Sequence, residues 1–128
     1  MSWHVEHIES SGIVELKLVG VATGDALREA TSEVIRVASQ NDLHRGLIDA
    51  SEQVRTGSIV DLVELPQQYT DQGLSRNVRI ALVIPRAKEL HDIADFYETV
   101  CINRGWQVQT FPSRDEAIAW LLAGPAPR

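Results

Sequence analysis

Cysteine is nearly missing from this chain: Cys101 stands alone among 128 residues. A single thiol excludes an internal disulfide and fits a reducing compartment. Long hydrophobic runs are missing too. Runs such as IALVIP at 80–85 and AIAWLLA at 117–123 fall far short of the ~20 residues that span a bilayer. The opening MSWHVEHIE carries charge early and has no apolar core, so it does not read as a signal peptide. The expected location is the cytoplasm. Positive charge is short as well, with 12 basic against 18 acidic residues and a net charge of −6. The basic residues are scattered, often beside an acid, which argues against nucleic acid and against an anionic membrane surface.

What is present suits one compact core. Hydrophobic residues make up 44% and charged residues 23%, a balance that excludes general disorder. No repeat or linker divides the chain, so a single domain over 1–123 is expected, followed by a frayed tail at 124–128.

WHVEHIE and IVELKLV flank SSG, which reads as a β-hairpin with a glycine turn. In GVATGDALREATSEVIRVASQ, Leu27, Ala30, Val34, Val37 and Ala38 recur at helical spacing, with Asp25 as the expected N-cap. GLIDA is a short buried parallel strand. A second helix begins at Ser58, where Ser58 and Asp61 approximate a capping box, and Pro66 is expected to kink or split it. VRIALVIP is the most hydrophobic strand. A third helix follows, with Leu90, Ile93, Phe96, Tyr97, Val100 and Cys101 on one side and Asp92, Asp95 and Glu98 opposite, closed by Gly105. WQVQTF alternates as a strand, and Ser113 with Glu116 caps a last helix.

The order is ββαβαβαβα, which implies mainly parallel strands joined by right-handed crossovers. Period-two alternation sorts the strand residues by face. Val14, Leu16 and Leu18 share one face of their strand, as do Val78, Ile80, Leu82 and Ile84, and then Trp106 and Val108. Glu15, Lys17, Arg79, Gln107 and Gln109 point the other way. A doubly wound sheet is apolar on both faces. This one reads as one-sided: a five-stranded, mainly parallel mixed sheet with helices mostly on one face, wound as a β-α superhelix.

The ordered set RIALVIP…FYETVCINRGWQVQTFPSRDEAIAWL, with LIDAS and the hairpin ahead of it, resembles the SpoIIAA-like branch of the STAS superfamily (sulphate transporter and anti-sigma factor antagonist domains). The features that carry the likeness are a penultimate strand ending in Pro, an NRG helix exit, and a final strand-Phe before a capped helix bearing E-A-x-x-W-L. The resemblance implies a β-α superhelix and a non-enzymatic module that docks a kinase or regulator. It also implies control by phosphorylation of a serine at the start of the second helix, through the roughly two negative charges a phosphate adds. Asp49 and Ser51 match the family's Asp-x-Ser, and Ser58 falls where the phosphoacceptor lies. This chain departs from the family's Asp-Ser-Ser/Thr-Gly: it reads Arg55-Thr56-Gly57-Ser58, with the acid missing and the glycine ahead of the serine.

Two stretches are therefore candidate sites. Asp49, Ser51, Arg55, Thr56, Gly57 and Ser58 form the expected ligand- or partner-binding edge. Within it, Ser58 reads first as an N-cap and second as a phosphoacceptor. Ser51 reads as a loop residue bonding its own backbone. Asp49 reads as an acid at the carboxyl end of a central strand, holding loop amides. Gly20, Thr23, Gly24 and Asp25 lead from a strand into a helix start and could hold an anion on free N–H groups. The stretch lacks G-x-G-x-x-G and a P-loop lysine, so a plain turn with a cap competes with that reading. Cys101 reads as a packed thiol. His4 and His7, three apart in a strand, point to opposite faces. No metal-ligand spacing and no G-x-S-x-G elbow occurs, so neither a metal nor a cofactor nor an enzyme is expected. The primary expectation is a protein-binding regulatory module. The alternative is a small binding protein holding an anionic or apolar ligand at the carboxyl ends of the strands. A homodimer is also considered, because Ile8, Ala81 and Val83 leave the second sheet face partly apolar.

Overall fold

The computed structural model describes residues 2–56 and 58–123. Gly57 and the 124–128 tail named above lie outside the described residues. The elements run β1 Ser2–Ile8, β2 Ile13–Ala22, α1 Gly24–Asn41, β3 Arg45–Thr56, α2 Ile59–Asp71, β4 Arg79–Val83, α3 His91–Asn103, β5 Gln107–Phe111 and α4 Arg114–Ala123, with a 3-10 turn at Lys88–Leu90 before α3. The expected order holds. Strands lie side by side in chain order; β1 and β2 are antiparallel and every later pair is parallel.

The hairpin forms because Gly12 adopts φ +66°, a conformation that costs glycine little. Beyond it, alternation sends Leu16, Leu18, Ile80, Leu82 and Val108 to one face. There α1, α2 and α3 supply Leu27, Ala30, Ile35, Leu62, Leu65, Tyr69, Ala94, Tyr97 and Cys101. Each leucine or isoleucine sealed in this layer contributes about 1.5–3 kcal/mol relative to exposure.

The second face has a smaller core. Ile13, Leu47, Ala81 and Val83 meet Ala117 and Leu121 of α4, with Ile8, Phe111, Ile118 and Trp120 around them. Three helices thus cover one face and one covers part of the other. The apolar residues that suggested self-association, Ile8, Ala81 and Val83, pack within the chain under α4. That motive for a homodimer disappears.

Several local expectations need correction. β3 is not the short GLIDA strand but runs for 12 residues to Thr56. Pro66 neither splits α2 nor ends it; its ring is among the most deeply buried side chains, and that packing offsets the backbone hydrogen bond it cannot make. On α1, Val34 is only partly buried, while Thr31 and Ile35 are buried. Phe96 of α3 is exposed and Ala94 takes the core position, so the buried stripe is 94, 97 and 101. Glu98 does not face solvent alone: its carboxylate accepts from the Thr110 N–H at 2.7 Å and ties α3 to β5. Gly105 has the left-handed φ of +87° expected of a helix exit.

Candidate functional site

β3 carries most of the residues singled out in the sequence, and its irregular pairing decides where they point. Lys17 and Val19 of β2 face Asp49 and Glu52 of β3; Gly20 and Val21 face Gln53 and Arg55. Each step gives β3 one more residue than its partner, so the strand bulges twice. Gly20 sits between the two with φ +83°. The stretches read as facing loops, Gly20–Asp25 and Asp49–Ser58, are therefore mostly a paired ladder that reaches Ala22 and Thr56.

Two helices begin at the end of that ladder. Thr23, not Asp25, caps α1, accepting from the Ala26 N–H at 3.2 Å. Asp25 instead enters the first turn and pairs with Arg28 at 2.5 Å. Ser58 caps α2 in a full capping box: its hydroxyl accepts from the Asp61 N–H at 3.2 Å, and the Asp61 carboxylate accepts from the Ser58 N–H at 3.1 Å. Arg28 also reaches Asp61 at 3.2 Å, joining the two helix starts. The Ser58 N–H, its hydroxyl and then Arg28 hold the Asp61 carboxyl below the ordinary carboxylate range. Gly24 leaves room for this carboxylate, since a Cβ there would lie 2.5 Å from it. An anion drawn to the start of α1 would meet both Asp25 and Asp61.

Asp49 and Ser51 lie elsewhere. Neither is where the sequence suggested, because the strand continues through both. Asp49 is 6% exposed, and its Oδ1 accepts from the Ser51 N–H at 3.0 Å and the Ser51 hydroxyl at 2.7 Å. It shares the second sheet face with Leu47 and borders a polar hollow of roughly 260 Å³ with His4, Glu6, Glu15, Lys17 and Arg114. Lys17 pairs with Glu52 at 2.8 Å, and Arg114 grips Glu15 at 2.8 and 3.0 Å. Those hydrogen bonds to Glu52 and Glu15 raise the two cations' pKa values. Ser58 belongs to the helix layer on the other side of the sheet. One sequence stretch thus supplies two surfaces.

The residues the sequence reading passed over are apolar. Val54, Ile59 and Val60 are 60%, 58% and 63% exposed, and Val19 and Val21 are more than one-third exposed. Val19 and Val21 lie in the paired end of β2, Val54 is the residue that the second bulge of β3 leaves without a partner in β2, and Ile59 and Val60 begin α2. The available signal was that Ile59 and Val60 lie off the Leu62, Leu65, Tyr69 stripe of their own helix. Cys101 is buried as expected, and burial pushes its thiol up to about 12, which leaves it protonated and unreactive. Among the described residues, no group of three or more His, Cys, Asp and Glu could hold a metal ion, and no helix is long and apolar enough to cross a membrane.

No family model and no curated protein matches the sequence. Solved structures do. The anti-sigma factor antagonist SpoIIAA in its unphosphorylated form is 15% identical with a TM-score of 0.62, over 96% of this chain and 100% of that one. An anti-sigma factor antagonist from Mycobacterium paratuberculosis is 18% identical with a TM-score of 0.66, over 94% and 92%. The fold is SpoIIAA-like. A Shewanella loihica PV-4 protein described as having a SpoIIAA-like fold agrees, at 16% identity and a TM-score of 0.61 over 94% and 92%. Within this SpoIIAA-like frame the strand order, the four helices and their uneven distribution over the two faces are accounted for.

Proposed function

We propose that this SpoIIAA-like domain is a non-enzymatic regulatory module that docks a protein partner through the end of β3 and the start of α2. The observation that carries the reading is the exposure of three apolar residues close in sequence to Ser58: Val54, Ile59 and Val60. Isolated exposed apolar residues are ordinary; several grouped at one edge mark an interaction surface. Ser58 stands between Val54 and Ile59 and is itself exposed. A phosphate there would displace the hydroxyl from its cap and set two negative charges beside Asp61, opposing an apolar partner. Two solved relatives in fold are SpoIIAA in unphosphorylated and phosphorylated forms, which makes this serine the place to look for such control. Ser51 and Ser58 each sit beside a carboxylate that also accepts a backbone N–H. That arrangement builds turns and caps, not a nucleophile.

A photo-crosslinking residue at Val60 tests the reading in the protein's own cells. One distinct protein should be trapped from Val60, and Ile59→Asp should abolish the adduct while leaving the circular dichroism spectrum unchanged. The same residue at exposed Leu122, on α4, should trap nothing. Equal adducts from both positions, or an adduct indifferent to Ile59→Asp, would defeat the proposal.

A further inference from the structure

The sheet ends in two open edges, β1 and β5. A strand at an edge presents N–H and C=O groups that another chain can pair with. β5 has only five residues, whereas β1 has seven, Ser2–Ile8. Its pairing with β2 is unbroken from Ser2 opposite Val19 to Ile8 opposite Ile13, with no bulge. It contains neither proline nor lysine. Bulges, prolines and lysines are what commonly keep an edge from pairing, and β1 has none of them.

The side chains of β1 indicate what fits beside it. Register with β2 places Trp3, Val5 and His7 opposite Leu18, Leu16 and Val14 on the helical face, where Trp3 and Val5 pack against the core. Ser2, His4, Glu6 and Ile8 share the other face. A second β1, antiparallel and related by a two-fold axis normal to the sheet, keeps each face on its own side. Odd residues then meet odd ones and even meet even. A register centred on Glu6 sets two carboxylates opposite each other, which is destabilising. One centred on His4 sets histidine against histidine and leaves Glu6 opposite Ser2. Centred on Val5, the whole strand pairs: His4 faces Glu6 of the second copy, twice by symmetry, and Trp3 faces His7 of the second copy. Histidine opposite glutamate hydrogen-bonds when neutral and attracts when protonated. The His4 and Glu6 side chains are 73% and 61% exposed, so neither is committed to the core.

We propose that β1 is a self-recognition edge: two copies of this chain pair β1 to β1, antiparallel and centred on Val5, so that one sheet continues through both. Ala81 and Val83 are covered by α4, whereas no strand among the described residues pairs along the outer side of β1. Contact along a single strand is smaller than the roughly 1,200 Å² of stable interfaces, so the pair exchanges with monomer at micromolar or weaker affinity. The outer side of β1 lies across β2 from β3, so the inference does not rest on docking at α2, and either can fail alone.

Sedimentation equilibrium of the full chain between about 10 μM and about 1 mM should show reversible monomer–dimer exchange and no larger species. Amide hydrogen exchange in β1 should slow as concentration rises, while that in β5 should not. His4→Glu sets glutamate against glutamate at both symmetric contacts and should weaken association at least about fivefold. Adding Glu6→His restores the opposed pair in reversed order and should recover the affinity to within about twofold. Circular dichroism should be unchanged in both variants, because both positions are exposed. A monomer at every concentration, a dimer indifferent to His4→Glu, a double variant no tighter than the single, or slowed exchange at β5 in place of β1 would overturn the proposal.

Discussion

Tyr97→Phe should destabilise this domain more than its small chemical change suggests. The Tyr69 and Tyr97 hydroxyls meet at 2.5 Å and link α2 to α3, and the rings are 4% and 5% exposed. Tyr69 also meets Trp106 in a T-shaped contact, with ring centroids 5.5 Å apart. Burial, as the leading cause, pushes both hydroxyls far above the usual tyrosine range, so both stay protonated and the bond is neutral. Such a bond contributes about 1 kcal/mol net, but stranding one partner in the core costs about 1–3 kcal/mol. Tyr97→Phe strands the Tyr69 hydroxyl, so we expect a loss of about 2 kcal/mol. Tyr69→Phe leaves Tyr97 beside the Cys101 thiol, a weaker partner that holds the loss nearer about 1 kcal/mol. With both hydroxyls gone nothing is stranded, and the double variant should lose no more than about 1 kcal/mol. The singles therefore sum to about 2 kcal/mol more than the double. Equilibrium urea unfolding, followed by far-ultraviolet circular dichroism, measures all four corners of the cycle. In a thermal melt each kcal/mol appears as roughly 3–5 °C for a chain of this length. A double variant that loses the full sum of the singles would refute the reasoning.

Two other outcomes follow from the same geometry. Ser58→Ala removes the α2 cap and should cost about 1 kcal/mol, whereas Ser58→Gly should cost only a few tenths; equal losses by urea unfolding would mean that the hydroxyl is not the cap. Stability should also fall at alkaline pH. Burial raises the Cys101 thiol from an ordinary 9.0 to about 12, so the contribution is fully present below pH 9 and is lost as pH rises towards 12. In that window the unfolded chain releases the proton that the folded chain keeps, a slope of about 1.4 kcal/mol per pH unit. The two tyrosines act in the same direction above pH 10. Cys101→Ala should flatten the fall between pH 9 and 10, as read from urea midpoints, and an unchanged curve would contradict the assignment.

What could be read from the sequence was whatever is decided within a few residues. The Ser58 cap needs only Asp61 three positions on, and the hairpin only Gly12; both are where the pattern put them. The face sorting of Leu16, Leu18, Ile80, Leu82 and Val108 worked because strand periodicity is local too. The failures share a different cause. Ala81 and Val83 looked like a spare apolar patch because nothing local says that α4, some 35 residues downstream, folds back over them. β3 looked short because Ser51 to Thr56 is polar and turn-like in composition, while its strand form depends on pairing with β2. Thr23 rather than Asp25 became the cap because Arg28 claimed Asp25 and the carboxylate of Asp61, from a different helix, crowded the position. The Tyr69–Tyr97 pair joins residues 28 apart on separate helices, and no spacing rule reaches that far.

The bulges in β3 also bear on why one stretch can serve two surfaces. In a regular strand Asp49, Ser51, Gln53 and Arg55 would all share a face, and LIDASEQVRTGS would present a single site. One additional residue at each register break changes the sequence spacing that returns to a given face. Asp49 is thereby left on the polar face with Lys17 and Arg114, while Gln53 joins Thr31 on the helical side. The same breaks bring Val54 to the surface ahead of Ile59 and Val60. A deletion within β3 that restored regular pairing would exchange these faces, burying polar side chains and exposing core ones, at a cost far above that of any single substitution here. The irregular strand is therefore what permits an exposed apolar surface, a polar hollow and the apolar space beside Gln53 to draw on the six residues Asp49–Val54 without competing for the same space.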